Sequence, residues 1–297
     1  MKLKDILDIR VFAPVLLCSV AVVPAQASPP DVHYKHTQKT GVARAFCPPG
    51  MPVIGGGGFV ETPSGGAFKE EKLRQTYPIS DKTGVIAFAN TAIGWQVASS
   101  DFTDDVAAFA ICAASPLSSL ISVQYVSAQS TGVARAFCPI GTLVVGGGGF
   151  VESPPEGGFK EEKLRQTYPI SDATGVIAYG TTAIGWQAAS SDFSDTVVSF
   201  AVCATPTLGS MVSAQYISSQ STGVARAFCP AGITLTGGGA IVETPQGGGF
   251  KEEKLRQTYP ISDASGVIAY GTTAIGWQAA SSDFNDTVVS FAICTSH

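Results

Sequence analysis

The chain has 297 residues and a formal net charge of −5, with 45% hydrophobic and only 14% charged residues. An acidic chain with no basic patch lacks the positive surface that binding to nucleic acid or to an anionic membrane requires. The hydrophobic content is too high for a disordered chain, so the composition predicts a folded protein that binds no nucleic acid.

Residues 1–27 have the features of an export signal. Three basic residues precede an apolar run at residues 11–23 that is too short to cross a bilayer, and Ala-Gln-Ala at residues 25–27 is a typical cleavage site. The sequence therefore predicts a mature chain that begins at Ser28 and is secreted to the extracellular space, with the periplasm as an alternative. No later apolar run is long enough to span a membrane.

The rest of the chain is an internal repeat with a step of 91 residues. Residues 130–203 and 221–294 differ at only 13 of 74 positions. Such self-similarity is the sequence signature of repeated structural units. After the signal we therefore expect three β-repeats, at residues 28–113, 114–204 and 205–297.

Within each unit the pattern predicts short β-strands. In unit 2, residues 132–138 alternate larger and small side chains, and residues 176–190 and 196–203 are rich in β-branched and aromatic residues. Residues 164–169 also alternate, and we expect this strand to stop at Pro169, which cannot donate a ladder hydrogen bond. A further short strand is expected before each unit; it is marked by Tyr34, Tyr125 and Tyr216.

The predicted fold class is all-β, with three tandem disulfide-closed modules, each a β-sandwich or barrel-like. An alternative is one body of three sheets around a pseudo-threefold axis. A unit of 91 residues is longer than one sheet needs, which favours separate modules.

Six of the seven cysteines follow the export signal. An even number of cysteines in an exported chain favours disulfides, although six cysteines allow 15 pairings. The repeat favours pairs that join the start of each unit to its end: Cys47–Cys112, Cys138–Cys203 and Cys229–Cys294.

Each unit carries the order Cys-Pro-x-Gly, Gly-Gly-Gly, Tyr-Pro, Gly-Trp and a β-run that ends in Cys. This order resembles a repeat of exported bacterial proteins whose function is largely uncharacterised. The resemblance implies export and a β-module but no activity. The charged segment at residues 159–172 and the Asp-rich turn at residues 190–195 depart from that repeat.

The sequence offers little for catalysis. The glycine run at residues 146–149 lacks the Lys and Ser or Thr of a phosphate loop, and we expect it to be a strand that passes close to another backbone. The only histidines are His33, His36 and His297, and there is no Gly-x-Ser-x-Gly motif. We therefore predict that the chain is not an enzyme and needs no cofactor.

Repeated aromatic residues are the predicted binding positions, because an aromatic ring on a β-module can stack on a sugar. For the tryptophans, core packing against a disulfide is the favoured interpretation, and sugar binding is the alternative. The residues are Trp95, Trp186, Trp277, Tyr77, Tyr168 and Tyr259.

Repeated aspartates before the last strand of each unit are weak predictions for a calcium site. Such a turn supplies three or four oxygens, whereas calcium needs about six, so turn formation is the alternative. The residues are Asp101, Asp104, Asp192, Asp195, Asp283 and Asp286.

These features favour a secreted, non-catalytic protein that adheres to, or binds multivalently, a glycan or another cell-surface component, because three weak sites gain avidity on a repetitive target. The alternative is a matrix or coat protein that self-associates through exposed strand edges. The segment at residues 157–172, which is unchanged in unit 3, is the predicted surface if all units bind one partner.

Overall fold

The computed structural model describes residues 32–61, 72–152, 163–180, 183–243, 254–271 and 274–297. The predicted export signal lies outside these residues, and so does the start of the charged segment in each unit, which is residues 159–162 in unit 2.

The described chain is all-β, as predicted, with six strands from each unit and one helical turn. Unit 1 forms β1 (Val32–Thr40), β2 (Val42–Phe46), β3 (Val53–Glu61), β4 (Leu73–Ile79), β5 (Gly94–Ser99) and β6 (Asp105–Ala113). Unit 2 begins after the turn α1 (Leu117–Leu120) and forms β7 (Ile121–Thr131), β8 (Val133–Phe137), β9 (Leu143–Glu152), β10 (Leu164–Ile170), β11 (Gly185–Ser190) and β12 (Thr196–Pro206). Unit 3 forms β13 (Ser213–Thr222), β14 (Val224–Phe228), β15 (Thr234–Glu243), β16 (Leu255–Ile261), β17 (Gly276–Ser281) and β18 (Thr287–Ser296).

Each unit divides its strands between two sheets. Sheet I has the order β1-β6-β3-β16-β17-β14, sheet II the order β2-β5-β4-β9-β12-β7, and sheet III the order β13-β18-β15-β10-β11-β8. Every sheet therefore contains three strands from each of two units, and unit 3 closes the ring by pairing with unit 1. The three repeats are present, but they interlock around a pseudo-threefold axis. The length of a unit did not indicate this arrangement, because each unit holds enough strands for one sheet but divides them between two sheets.

The predicted disulfide pairing is present in all three units. Cys47 bonds to Cys112, Cys138 to Cys203 and Cys229 to Cys294, each across 65 positions of sequence. Cys47 directly follows β2 of sheet II, whereas Cys112 lies in β6 of sheet I. The disulfide of unit 1 therefore ties two sheets together, and the repeat places the other two bonds in the same way.

The glycine run is where the three units meet. Gly55 in β3, Gly146 in β9 and Gly237 in β15 form a cycle. A Cβ on any one of them would lie within 2.6 Å of the backbone oxygen of the residue that precedes the corresponding glycine in another unit. Real Cβ atoms do not approach so closely, so only glycine lets the three backbones pack at this point. The expected close approach of backbones is confirmed.

The strand that contains the Tyr-Pro dipeptide does not stop at its proline, in contrast to the prediction. Pro78 lies within β4 and pairs with Trp95 of β5. The neighbour on the other side, β9, pairs only with Gln75 and Thr76, so it requires no donor from Pro78.

Cyclic hydrogen bonds also join the units through the first tyrosine of each. The hydroxyl of Tyr34 donates to the carbonyl of Leu235 in unit 3 at 2.7 Å. Tyr125 donates in the same way to Val53 of unit 1, and Tyr216 to Val144 of unit 2. Burial raises the pKa of Tyr125 and Tyr216 strongly, so these hydroxyls stay protonated as donors.

Candidate binding sites on the outer faces of the sheets

The three tryptophans are not available to a ligand, so the structure agrees with the core packing favoured from the sequence and excludes them as binding residues. Trp95, Trp186 and Trp277 are each fully buried. The indole of Trp95 lies over Gly56, where any Cβ would collide with the ring, and its Nε1 donates to the Thr76 hydroxyl at 2.8 Å. The rings are therefore part of the core that the three sheets share.

The three Tyr-Pro tyrosines face outward from the sheets, but their rings are also covered. Tyr77, Tyr168 and Tyr259 are only 5–6% exposed, so they cannot offer a flat face to a sugar, which corrects that prediction. Tyr77 packs against Phe150 and Phe200 with centroids 5.2 and 5.6 Å away. The hydroxyl of each tyrosine instead accepts a hydrogen bond from a glutamine that was not among the residues predicted from the sequence.

Strand alternation explains why a polar row forms beside the tyrosine. In β5, Trp95 points inward, and the next residue, Gln96, therefore points outward. Gln96 pairs with Arg44 of β2 on one side and with Tyr77 of β4 on the other. The three side chains therefore lie in one row across neighbouring strands.

Short hydrogen bonds fix this row. The Nε of Arg44 donates to Oε1 of Gln96 at 2.6 Å, and Nε2 of Gln96 donates to the Tyr77 hydroxyl at 2.6 Å and to Oε1 of Gln75 at 3.0 Å. The oxygen and the N–H groups of the Gln96 amide are therefore all hydrogen-bonded. The guanidinium plane of Arg44 is held in place through its Nε alone.

We call this row, Arg-Gln-Tyr, the outer-face cluster, and it occurs once in each sheet. Arg135 and Arg226 donate to Gln187 and Gln278 at 2.7 and 2.6 Å, and both glutamines donate to their tyrosine at 2.6 Å. The three clusters are Arg44-Gln96-Tyr77 in sheet II, Arg135-Gln187-Tyr168 in sheet III and Arg226-Gln278-Tyr259 in sheet I.

Every arginine beyond residue 27 lies close to one of the three clusters. Burial raises the pKa of Tyr77, while the guanidinium groups of Arg44 and Arg74 lower it. The same causes act on Tyr168 through Arg135 and Arg165, where the carboxylate of Glu243 opposes them. Each outer face therefore gathers two guanidinium groups on a chain whose net charge is negative.

A tight turn lies against the first arginine of each cluster. Oδ1 of Asp81 accepts hydrogen bonds from the backbone of Thr83, Gly84 and Val85 and from the Thr83 hydroxyl. These bonds lower the pKa of Asp81, the bond from Val85 contributing most. Gly84 has a φ of +99°, and a Cβ there would collide with Gln96 and with the Arg44 guanidinium, so the turn requires glycine.

Exposed apolar residues follow each turn. Val85 and Phe88 are 54% and 56% exposed, and Tyr179 and Tyr270 replace the phenylalanine in units 2 and 3. The ring of Tyr270 lies 4.5 Å from the imidazole of His36 on β1, edge to face. Exposed aromatic rings on the outer faces therefore include Phe88, Tyr179 and Tyr270, none of which belongs to the predicted set.

The predicted calcium residues form turns in the structure. Oδ1 of Asp101 accepts from the backbone and hydroxyl of Thr103, and Oδ2 of the buried Asp104 accepts from Ser99 at 2.7 Å. Asp192 with Asp195, and Asp283 with Asp286, repeat these contacts. Within the described ranges no group of three or more His, Cys, Asp and Glu side chains is placed to hold a metal ion.

A cleft of about 410 Å³ lies beside the disulfide of unit 2. Its lining includes Phe137, Ile140 and Ile184, and its only polar side chain is Thr142, whose hydroxyl already donates to the carbonyl of Pro139. This cleft provides no charged group to orient a polar ligand, whereas the outer-face clusters do.

No protein-family model matches the chain, and no curated protein matches it. The structure also has no helix, in the part of the chain it describes, that is long and apolar enough to cross a membrane.

Proposed function

We propose that the protein is exported and binds a glycan or another cell-surface component through the three outer faces, without catalysis. The observation that carries the proposal is the threefold repetition of the outer-face cluster beside an exposed aromatic ring. Three equivalent weak sites on one rigid body gain avidity when the target presents repeated groups.

Two features of the chain support export. The first 27 residues have the pattern of an export signal, and three disulfides are typical of proteins that fold outside a reducing cytosol.

The alternative, self-association through strand edges, has less support. The outer edge of β1 is occupied at Tyr34, whose amide donates to the carbonyl of Gly271 at 2.6 Å. Tyr125 and Tyr216 make the equivalent bonds to Ala89 and Gly180. A neighbouring unit therefore blocks part of the edge that a second molecule would need.

The experiment uses the full chain and an immobilised glycan panel. Replacement of Phe88, Tyr179 and Tyr270 by alanine, singly and together, removes the exposed rings. We expect the triple variant to lose about 100-fold or more in apparent affinity, because the avidity of three sites is lost. Each single variant should lose much less and unfold within about 0.5 kcal/mol of the wild type, because these side chains are exposed.

The matched control replaces Phe102, Phe193 and Phe284, which are also repeated and are 60–66% exposed but lie in a different turn. This control should bind as the wild type does. If the control loses binding while the triple variant of Phe88, Tyr179 and Tyr270 binds fully, the binding site lies elsewhere. If the wild-type chain binds nothing on the panel, the proposal is refuted.

A further inference from the structure

The first arginine of each outer-face cluster has only neutral hydrogen-bond partners among the described residues, while the carboxylates of Glu61 and Glu243 act on Tyr259 and Tyr168 from a distance. Arg44 donates its Nε to Gln96, and Arg135 and Arg226 donate theirs to Gln187 and Gln278. A terminal nitrogen of Arg226 also donates to the backbone carbonyl of Ser265 at 2.9 Å. None of these partners carries a negative charge, so the charge of each guanidinium is not neutralised by them.

The orientation of each guanidinium is nevertheless fixed. Its Nε is held by a glutamine whose own amide is held by the tyrosine hydroxyl and by a second glutamine. The turn glycine packs against the same guanidinium. A guanidinium that is held in this way loses little further conformational freedom when it binds a planar or tetrahedral anion.

Arginine is half-buried at this position in all three units, between alanines that point into the core. A role in packing alone would not require a charged guanidinium whose hydrogen bond to the glutamine uses only Nε and not the terminal nitrogens. A guanidinium binds a carboxylate or a sulfate through two parallel hydrogen bonds, which is stronger and more directional than a bond to a sugar hydroxyl.

We propose that Arg44, Arg135 and Arg226 bind the acidic groups, carboxylate or sulfate, of an anionic glycan, one group at each outer face. This inference rests on the proposed function and names the class of glycan. The exposed ring of Phe88, Tyr179 or Tyr270 supplies an apolar contact for a sugar on the same outer face. Because one such arginine lies on each of the three sheets, a polymer or surface on which acidic sugars recur gains most from binding.

The net charge of −5 makes the proposal testable, because a chain that is negative overall is not attracted to polyanions in general. The probes are polygalacturonate for carboxylate, dextran sulfate for sulfate and unmodified dextran as the neutral polymer. We expect wild-type protein to bind at least one of the acidic polymers and to bind dextran about 100-fold more weakly or not at all.

Two triple variants separate charge from geometry. Arg44→Lys, Arg135→Lys and Arg226→Lys together retain the charge but remove the fork, and we expect a loss of about tenfold on the acidic polymer. The three changes to Gln also remove the charge, and we expect a loss of about 100-fold. If the Gln variant does not fold, the Lys variant alone carries the test.

The matched control is the triple variant Lys35→Gln, Lys39→Gln and Lys82→Gln. It removes the same charge from positions outside the clusters, and Lys82 is alanine in units 2 and 3. We expect its affinity for the acidic polymer to stay within about threefold of wild type, since Lys39 and Lys82 are exposed, Lys35 is partly exposed, and none of the three belongs to a cluster. An equal loss in the control and in the Gln variant would overturn the proposal.

The remaining outcomes are also distinct. If dextran binds as tightly as the acidic polymers, and substitution of Phe88, Tyr179 and Tyr270 but not of the arginines weakens it, the acidic ligand is wrong and the proposed function stands. If folded wild-type protein binds none of the polymers and nothing on the glycan panel, both fail.

Discussion

The two faces of the same strands differ in what they tolerate. In β5, Trp95 faces an interior in which the backbones of three units meet at glycine, while Gln96 one position later faces outward and orients Arg44. The inner face is fully buried and leaves no space for a Cβ at glycines such as Gly56, whereas the outer face holds charged groups and exposed rings. Because strand alternation separates them, the inner face carries the fold and the outer face is free to carry binding.

The largest expected effect comes from removing the neighbours that complete the inner face. An isolated unit, residues 114–204, contains half of sheet II and half of sheet III. We expect it to be unfolded as a monomer and to fold only when three copies associate, because each copy must supply the missing strands of the next. Circular dichroism combined with analytical ultracentrifugation measures this, and a folded monomer of one unit would contradict the interlocked arrangement.

Loss of one disulfide should come next. The double variant Cys138→Ala and Cys203→Ala frees a loop that spans 65 positions, and we expect the free energy of unfolding to fall by about 4 kcal/mol. Denaturant unfolding of the full chain measures the change. A fall of less than about 1 kcal/mol would contradict this prediction and would mean that residual structure in the unfolded chain already restrains the loop without the bond.

A matched pair of glycine substitutions tests the inner face directly. A Cβ at Gly147 would collide with the Trp186 indole, so Gly147→Ala should lower the free energy of unfolding by about 3 kcal/mol. A Cβ at Gly149 would meet the side chain of Ala188, but unit 3 accommodates alanine at both equivalent positions, Ala240 and Ala279. Gly149→Ala should therefore lower the free energy of unfolding by less than about 1 kcal/mol. Equal costs for the two variants would mean that contact with the indole does not determine the choice of glycine.

The outer face should show a smaller, pH-dependent effect. Burial raises the pKa of Tyr77, Tyr168 and Tyr259 above the ordinary value of about 10. Their contribution to stability is therefore complete below about pH 10 and is lost as the pH rises through the folded-state pKa values. The free energy of unfolding, measured across this range, should fall with pH, and a Tyr168→Phe variant should fall less steeply. An identical slope in both proteins would contradict this assignment.

The repeat made the disulfides predictable, because symmetry removed all but one simple pairing of six cysteines. Alternation made the strands predictable, but it cannot tell which unit supplies the neighbouring strand, so the sharing of sheets was missed. Alternation also does not say which face is inside. Arg44 lies outward between Ala43 and Ala45, which are fully buried, because glycine strands and indole rings already fill the interior.

The tyrosines were predicted to lie at the surface, and the tryptophans were kept as an alternative, because aromatic rings on a β-module can stack on a sugar. Repetition in an interlocked fold marks the core equally well, since every unit must bury the same face. The residues that do form the outer-face cluster carried a usable signal. Each arginine lies in a period-two run of small residues, and each glutamine follows a tryptophan that alternation directs to the opposite face.

The central claim is that the chain presents three equivalent binding sites, one on each sheet. Isothermal titration of the full chain with a short oligosaccharide of the acidic polymer that it binds, which is a galacturonic acid trimer for polygalacturonate, measures the number of sites. The account predicts three fragments bound per chain with similar affinity, and two per chain when Arg135 is replaced by glutamine. One fragment per chain, or three in the Arg135→Gln variant, would contradict it.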